Sequence, residues 1–114
     1  MKPLIRVMKA LSDPSRIKIM KMLEAKPLCV CEITEILGLA QSTISKHLKI
    51  LEDAGLIDSW KDGSWVIYRF AENPDNPYAE IIGEHLKEWL FDNPEIRKIY
   101  RQAQVADKQK VCAA

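Results

Sequence analysis

The 114-residue chain predicts a mainly α-helical fold with one small β-hairpin, and three observations carry that prediction. Helix punctuation recurs along the chain: Asp13-Pro14 and Asn93-Pro94 each place a capping side chain before a proline, and Gly38 and Gly55 each follow an apolar-periodic stretch. Two of those stretches, Val30 to Leu37 and Gln41 to Ala54, are separated only by a short turn containing Gly38, which is helix-turn-helix spacing. Strand signal is confined to Leu56 to Lys61 and Ser64 to Phe70, with Asp62-Gly63 between them as a primed hairpin turn. A helix-turn-helix followed directly by a two-stranded hairpin is a winged helix-turn-helix.

The remaining elements follow from the same signals. Pro3 to Leu11 spaces Leu4, Val7, Met8 and Leu11 as one face of a short helix. The helix opened by Asp13-Pro14 runs to Ala25; Ile17, Ile19, Met20, Met22 and Leu23 cover more than half its circumference, leaving Lys18, Lys21 and Glu24 as a wet stripe. Such a helix belongs at the centre of the fold. Pro77 to Phe91 predicts a helix with Tyr78, Ile81, Ile82, His85, Leu86 and Trp89 on one stripe, and Asn93-Pro94 opens a last helix through Gln104. Residues 1–105 therefore read as one domain, and residues 106–114, which lack apolar periodicity, as a mobile tail.

Composition narrows the function classes. Hydrophobic residues are 47% and charged residues 29% of the chain, ordinary globular usage. No apolar run approaches the ~18 residues of a membrane span, and Arg6 and Lys9 interrupt any signal-peptide core, so a soluble cytoplasmic protein is expected. Seventeen bases against sixteen acids leave the mean charge near zero. The distribution is dipolar, because residues 1–26 carry seven bases and two acids while residues 71–100 carry three bases and seven acids. Cys29, Cys31 and Cys112 are an odd number, with two of them two positions apart, a poor disulfide framework and a better set of free thiols or small buried apolar side chains. No nucleophile, base and orienting acid form a set, so neither an enzyme nor a resident cofactor is expected.

The helix Gln41 to Ala54 carries the binding signal. Ile44, Leu48 and Leu51 must face inward, which turns Ser42, Lys46 and Lys49 outward, flanked by Gln41, Thr43 and Ser45. Hydroxyls in the first turn and lysines further along suit a helix entering the major groove of double-stranded DNA, the hydroxyls for base edges or phosphate and the lysines for phosphate. His47 lies at the edge of the apolar side, as a structural or phosphate-adjacent residue. Lys61 and Arg69 in the hairpin are further phosphate candidates, and Trp60, Trp65 and Tyr68 read as hairpin core. Acids match the bases across residues 41–70, so one subunit offers few phosphate contacts, and a homodimer doubles them. The first helix and the stripe carrying Tyr78, Ile82, His85 and Trp89 are the expected dimer surface.

The segments "LSDPSRIKIMKML", "LCVCEITEILGLAQSTISKHLKILEDAGLI" and "WKDGSWVIYRF" together resemble the arsenical-resistance repressor (ArsR/SmtB) family of winged-helix metalloregulators, over roughly residues 4–71. The resemblance implies a homodimeric repressor that leaves its operator when a metal or metalloid binds. Its arsenite-responsive branch is most similar at "LCVCE", where Cys29 and Cys31 fall on two thiol ligands, and soft thiolates suit As(III) or a related thiophilic ion. That branch carries a third cysteine three positions on, where this chain has Thr34. Either Cys112 or a small external thiol completes the set, or the ligand differs. The family's other sensing site, acids and histidines on the C-terminal helix, finds only His85 with Glu84 and Glu88 here. The alternative reading keeps DNA binding and makes Cys31 and Cys112 a redox or sulfur-species switch. A winged helix used only for protein interaction leaves the hydroxyl and lysine face without a reason. Residues two apart on a helix point about 200° apart, so capture of one ion by Cys29 and Cys31 is expected to require residues 28–31 in a non-helical loop.

Overall fold

The chain opens with α1 (Lys2–Ala10), whose Val7 and Ala10 are buried while Ile5 and Met8 face outward. In the computed structural model, which describes residues 1–112, the Asp13 carboxylate accepts the N–H groups of Ser15 (2.8 Å) and Arg16 (3.2 Å) and starts α2 (Pro14–Ala25). Ile19, Met20, Met22 and Leu23 are buried, so α2 is the central helix that its wide apolar face predicts.

The expected wet stripe of α2 is not there. Lys21 is 0% exposed: its ammonium pairs with Glu24 (2.9 Å), donates to the carbonyls of Leu86 (2.8 Å) and Trp89 (2.7 Å), and lies 4.0 Å from the centre of the Phe91 ring. A buried ammonium persists only with such a complete set of partners, and all of them except Glu24 come from a segment 65 and more residues away.

After Pro27, Leu28–Cys29 form β1, an element too short for any periodicity to announce. The chain turns at once into α3 (Val30–Leu37), which ends at Gly38 in the left-handed conformation (φ 68°) with its N–H bonded to Thr34 O at 2.8 Å. Helix α4 (Gln41–Asp53) follows, burying Ile44, Leu48 and Leu51, and Gly55 (φ 82°) turns the chain out of it. Strands β2 (Ile57–Asp62) and β3 (Trp65–Phe70) pair antiparallel from Ile57↔Phe70 to Asp62↔Trp65. The hairpin turn is therefore Gly63-Ser64, one residue later than expected, and only Gly63 has positive φ (63°) there, as at the first position of a type II′ turn. The other edge of β3 pairs with β1, giving the order β1-β3-β2.

The helix expected to reach Phe91 stops early. Helix α5 (Pro77–Leu86) begins at Asn76, whose side chain accepts Tyr78 N–H, and tightens into turns in which Glu88 N–H and Trp89 N–H reach back three residues. Lys21 donates to the carbonyls of Leu86 and Trp89 at this end, the former shared with Trp89 N–H, and Leu90 takes positive φ (72°) to redirect the chain. Trp89 thus lies beyond the helix rather than on its stripe. Asn93 caps α6 (Pro94–Gln104) as predicted, and α6 packs on α2. Within the segment expected as a tail, Asp107 caps a one-turn helix, α7 (Lys108–Val111), that packs on α3 and places Cys112 in the interior; Ala113 and Ala114 lie outside the described residues. No described helix is long and apolar enough to cross a membrane.

Candidate functional site

Two places carry chemistry, and α3 joins them. The first is the outer face of α4. With Ile44, Leu48 and Leu51 fully buried, Gln41, Ser42, Thr43, Ser45, Lys46 and Lys49 are all exposed, on a helix whose N-terminus has no side-chain cap. Uncapped N–H groups and hydroxyls at one end of a helix form a natural phosphate-facing surface. Lys49 reaches Asp53 at 3.4 Å on the open surface, a weak pair that leaves its charge available. His47 is half-buried, with Nδ1 3.2 Å from the Arg16 guanidinium.

The hairpin supplies less than expected. Lys61 is exposed near the tip, but Arg69 donates to Asp58 (2.7 Å) and Glu72 (2.9 Å) and stacks over Trp60 at 4.9 Å. Its charge is already matched by two carboxylates, which hold the guanidinium above its usual range, so it offers little to phosphate. Tyr68 packs on the core and Trp65 on the cysteines, whereas Trp60 is largely exposed.

The second place is the N-terminus of α3, where the sulfurs of Cys29, Cys31 and Cys112 lie within 4.8 Å of one another. Cys29 Sγ is 3.0 Å from Cys31 Sγ and 3.3 Å from Cys112 Sγ, and Cys31 and Cys112 meet sulfur to sulfur, their Cα atoms 5.7 Å apart and within disulfide reach. Cys29 is 1% exposed, enclosed with Ile67 and Trp65. It is also the N-cap of α3: its sulfur accepts the Glu32 N–H, and Glu32 Oε1 accepts the Cys29 N–H at 3.0 Å. This is a capping box with cysteine in place of serine or threonine, and the Cys29-x-x-Glu32 spacing was its signal in the sequence. Burial pushes the Cys29 thiol up, and the Glu32 carboxylate adds to this against the backbone N–H groups of Glu32 and Cys31.

The cap position corrects the geometric expectation. Cys29 has extended backbone (φ −90°, ψ 167°) and only Val30 onward is helical, so the 200° separation does not apply and both sulfurs converge with α3 intact. Thr34, where the resemblance implied a third cysteine, donates to Val30 O at 2.8 Å, and Cys112 brings the third sulfur. No other group of metal-binding character is found among the described residues, and His85 is exposed and stacked on Trp89, ring centres 5.8 Å apart. Arg16 and Glu32 are the site residues that sequence reasoning missed.

Residues 13–59 match the profile described as bacterial regulatory protein, arsR family. The arsenical resistance operon repressor of Escherichia coli is 32% identical over 96% of this chain and 95% of its own length. The chain belongs to the arsR family. The cadmium resistance transcriptional regulatory protein CadC of Listeria innocua is 42% identical over 70% of this chain and 67% of its own. Among solved structures, HlyU from Vibrio cholerae superposes with a TM-score of 0.64 at 28% identity, covering 76% of this chain and 90% of that one, and its reduced form with 0.63. The arsR-family protein is thus a winged-helix, DNA-binding transcription regulator, as its helix-turn-helix and hairpin predict.

Proposed function

We propose that this arsR-family protein represses a metal or metalloid resistance operon and leaves its operator when arsenite or a related thiophilic ion is held by Cys29, Cys31 and Cys112. The observation that carries the proposal is the convergence of three sulfurs on the cap of α3, the first helix of the DNA-reading unit. The donor set fits such an ion when Cys31 and Cys112 are thiols, because all three donors are soft sulfurs in a shielded pocket. Cys29 cannot give its lone pairs to an ion and keep its cap bond to Glu32 unchanged. Loss of that cap shifts α3, and the Gly38 turn transmits the shift to Gln41–Asp53. Swinging a promoter from nearly full to nearly empty needs ~5.5 kcal/mol of differential affinity.

The regulator acts on double-stranded operator DNA as a homodimer, through Gln41, Ser42, Thr43, Ser45, Lys46, His47 and Lys49, with Lys61 at the tip of the wing. Ile5 and Met8 on α1 and Tyr78 and Ile81 on α5, two helices that pack together, leave the exposed apolar face that a second copy covers. Ile82 on α5 is half-buried against the core, and His85 and Trp89 are exposed.

The test is release of reduced protein from a duplex of its own promoter by arsenite. Cys29→Ser and Cys31→Ser should repress normally and ignore the ion, while Cys112→Ser should need more of it. Normal release in the Cys29→Ser, Cys31→Ser double variant contradicts the proposal.

A second reading is favoured by the placement of Cys31 against Cys112, with Cα atoms 5.7 Å apart and within disulfide reach. Here the two thiols are the switch: they lose two protons and two electrons to an oxidant of the peroxide or polysulfide class and join. Thiol titration separates the readings, since oxidative release is reversed by a dithiol and leaves a disulfide, whereas ion capture blocks the thiols without one.

A further inference from the structure

Arg16 stands in the first turn of α2 and reaches two other helices. Its Nε donates to Ala10 O at 2.7 Å, and one Nη joins Ser12 on Lys9 O at 3.1 Å, so the guanidinium closes the end of α1. The other Nη lies 3.2 Å from Nδ1 of His47 on α4. A guanidinium has only donors, so Nδ1 must be the acceptor of this bond. The proton of the neutral imidazole then sits on Nε2, because the partner of one ring nitrogen decides the state of the other. Nε2 itself has no hydrogen-bond partner among the described residues. It belongs to a half-buried ring whose neighbours Lys46 and Thr43, one residue and one turn away, are on the exposed face of α4.

We propose that Arg16 is a positioning residue for DNA binding, holding His47 in the Nε2–H form so that this N–H donates to a backbone phosphate at the edge of α4. The proposal rests on the reading of α4 as the DNA-contacting helix. A fixed donor of known tautomer costs no rotamer or proton rearrangement on docking, which a free surface histidine does. It also gives α1, the helix of the proposed dimer face, a direct polar tie to the reading helix.

The experiment uses the full chain, nitrogen-15 labelled on histidine, and a duplex of its own promoter. Ring two-bond correlations of the wild-type protein should show His47 as the Nε2–H tautomer, and Arg16→Met should convert it to a mixture. His47→Gln places an amide N–H where Nε2–H was and should bind the duplex within about threefold of wild type. His47→Asn keeps a group facing Arg16 but lacks the outer donor, and should lose about tenfold, the worth of a hydrogen bond to a charged oxygen. Arg16→Met should weaken binding in the wild-type background and add nothing in the His47→Gln background, where no tautomer needs fixing. Melting followed by circular dichroism shows which variants fold, and the wild-type tautomer measurement needs no variant at all. An Nδ1–H tautomer, equal affinities for His47→Asn and His47→Gln, or an undiminished Arg16→Met effect beside His47→Gln would overturn the proposal while leaving α4 on DNA. A wild type without salt-dependent duplex affinity would overturn the α4 reading as well.

Discussion

Two carboxyls near the start and end of α2 titrate in opposite senses. Burial would raise the Asp13 carboxyl, but the N–H groups of Arg16 and Ser15, with the Arg16 and His47 charges, hold it below its ordinary value. Its contribution is therefore present above the usual carboxylate range and lost as pH falls through the lowered value. Asp13→Ala should cost about 1 kcal/mol in urea denaturation at neutral pH, and the deficit should shrink in acid. Glu24 is the reverse case: burial raises it, the Lys21 hydrogen bond and the Lys21 and Lys87 charges offset this in part, and its second oxygen has no partner. What it contributes is present at low pH and lost as pH rises through the raised value. Lys21→Met strands the carboxylate and should destabilise by about 3–5 kcal/mol at neutral pH, less in acid, with most of the loss recovered by adding Glu24→Leu. A smaller effect than that of an ordinary surface lysine would contradict the burial of this pair. Lys21 was unreadable in the sequence because its spacing among Lys18 and Glu24 is that of a solvated stripe, and its partners Leu86 and Trp89 act through backbone carbonyls, which carry no residue signature.

Elements with local causes were legible. The Asp13-Pro14, Asn93-Pro94 and Gly38 signals each place a helix boundary where it is found, because caps and positive-φ glycines act within one turn. Gly38→Ala meets no atom within 4 Å, so its cost is the left-handed backbone alone, about 1 kcal/mol in thermal melts. An unchanged melting temperature would mean that the turn relaxes. Elements with distant causes were not legible. Strand β1 pairs Leu28 and Cys29 with the free edge of β3, and α5 ends at Leu86 where Lys21 takes the carbonyls of Leu86 and Trp89. Helix α7 is one turn held against α3 by Cys112, a contact across 81 residues. Of the candidate site, the outer face of α4 and the Cys29–Cys31 pair were readable from spacing. The cap role of Cys29 was readable too, but only to an eye that lets cysteine stand for serine. The withdrawal of Arg69 into Asp58 and Glu72 was not, since it depends on strand register.

At the scale of the whole molecule, the proposed reading face offers few phosphate contacts per subunit, so the proposed function requires a twofold assembly. Ile81 is 56% exposed on α5, so Ile81→Glu should leave the fold intact, give a monomer in sedimentation, and abolish tight operator binding. A dimer of unchanged stability would move the interface elsewhere. Two reading helices should then sit ~34 Å apart, one turn of the duplex, and Lys46→Ala should flatten the salt slope by ~2 per dimer. An unchanged slope removes Lys46 from the interface. The central claim is that DNA occupancy and the thiol cluster are one equilibrium. The most direct measurement titrates arsenite into reduced protein bound to a labelled promoter duplex, following anisotropy and free thiols together. The account predicts that release and the loss of three thiols per protomer trace the same curve and end at one ion per protomer. Release while Cys29 and Cys31 remain free, or full thiol capture with the duplex still bound, would contradict it.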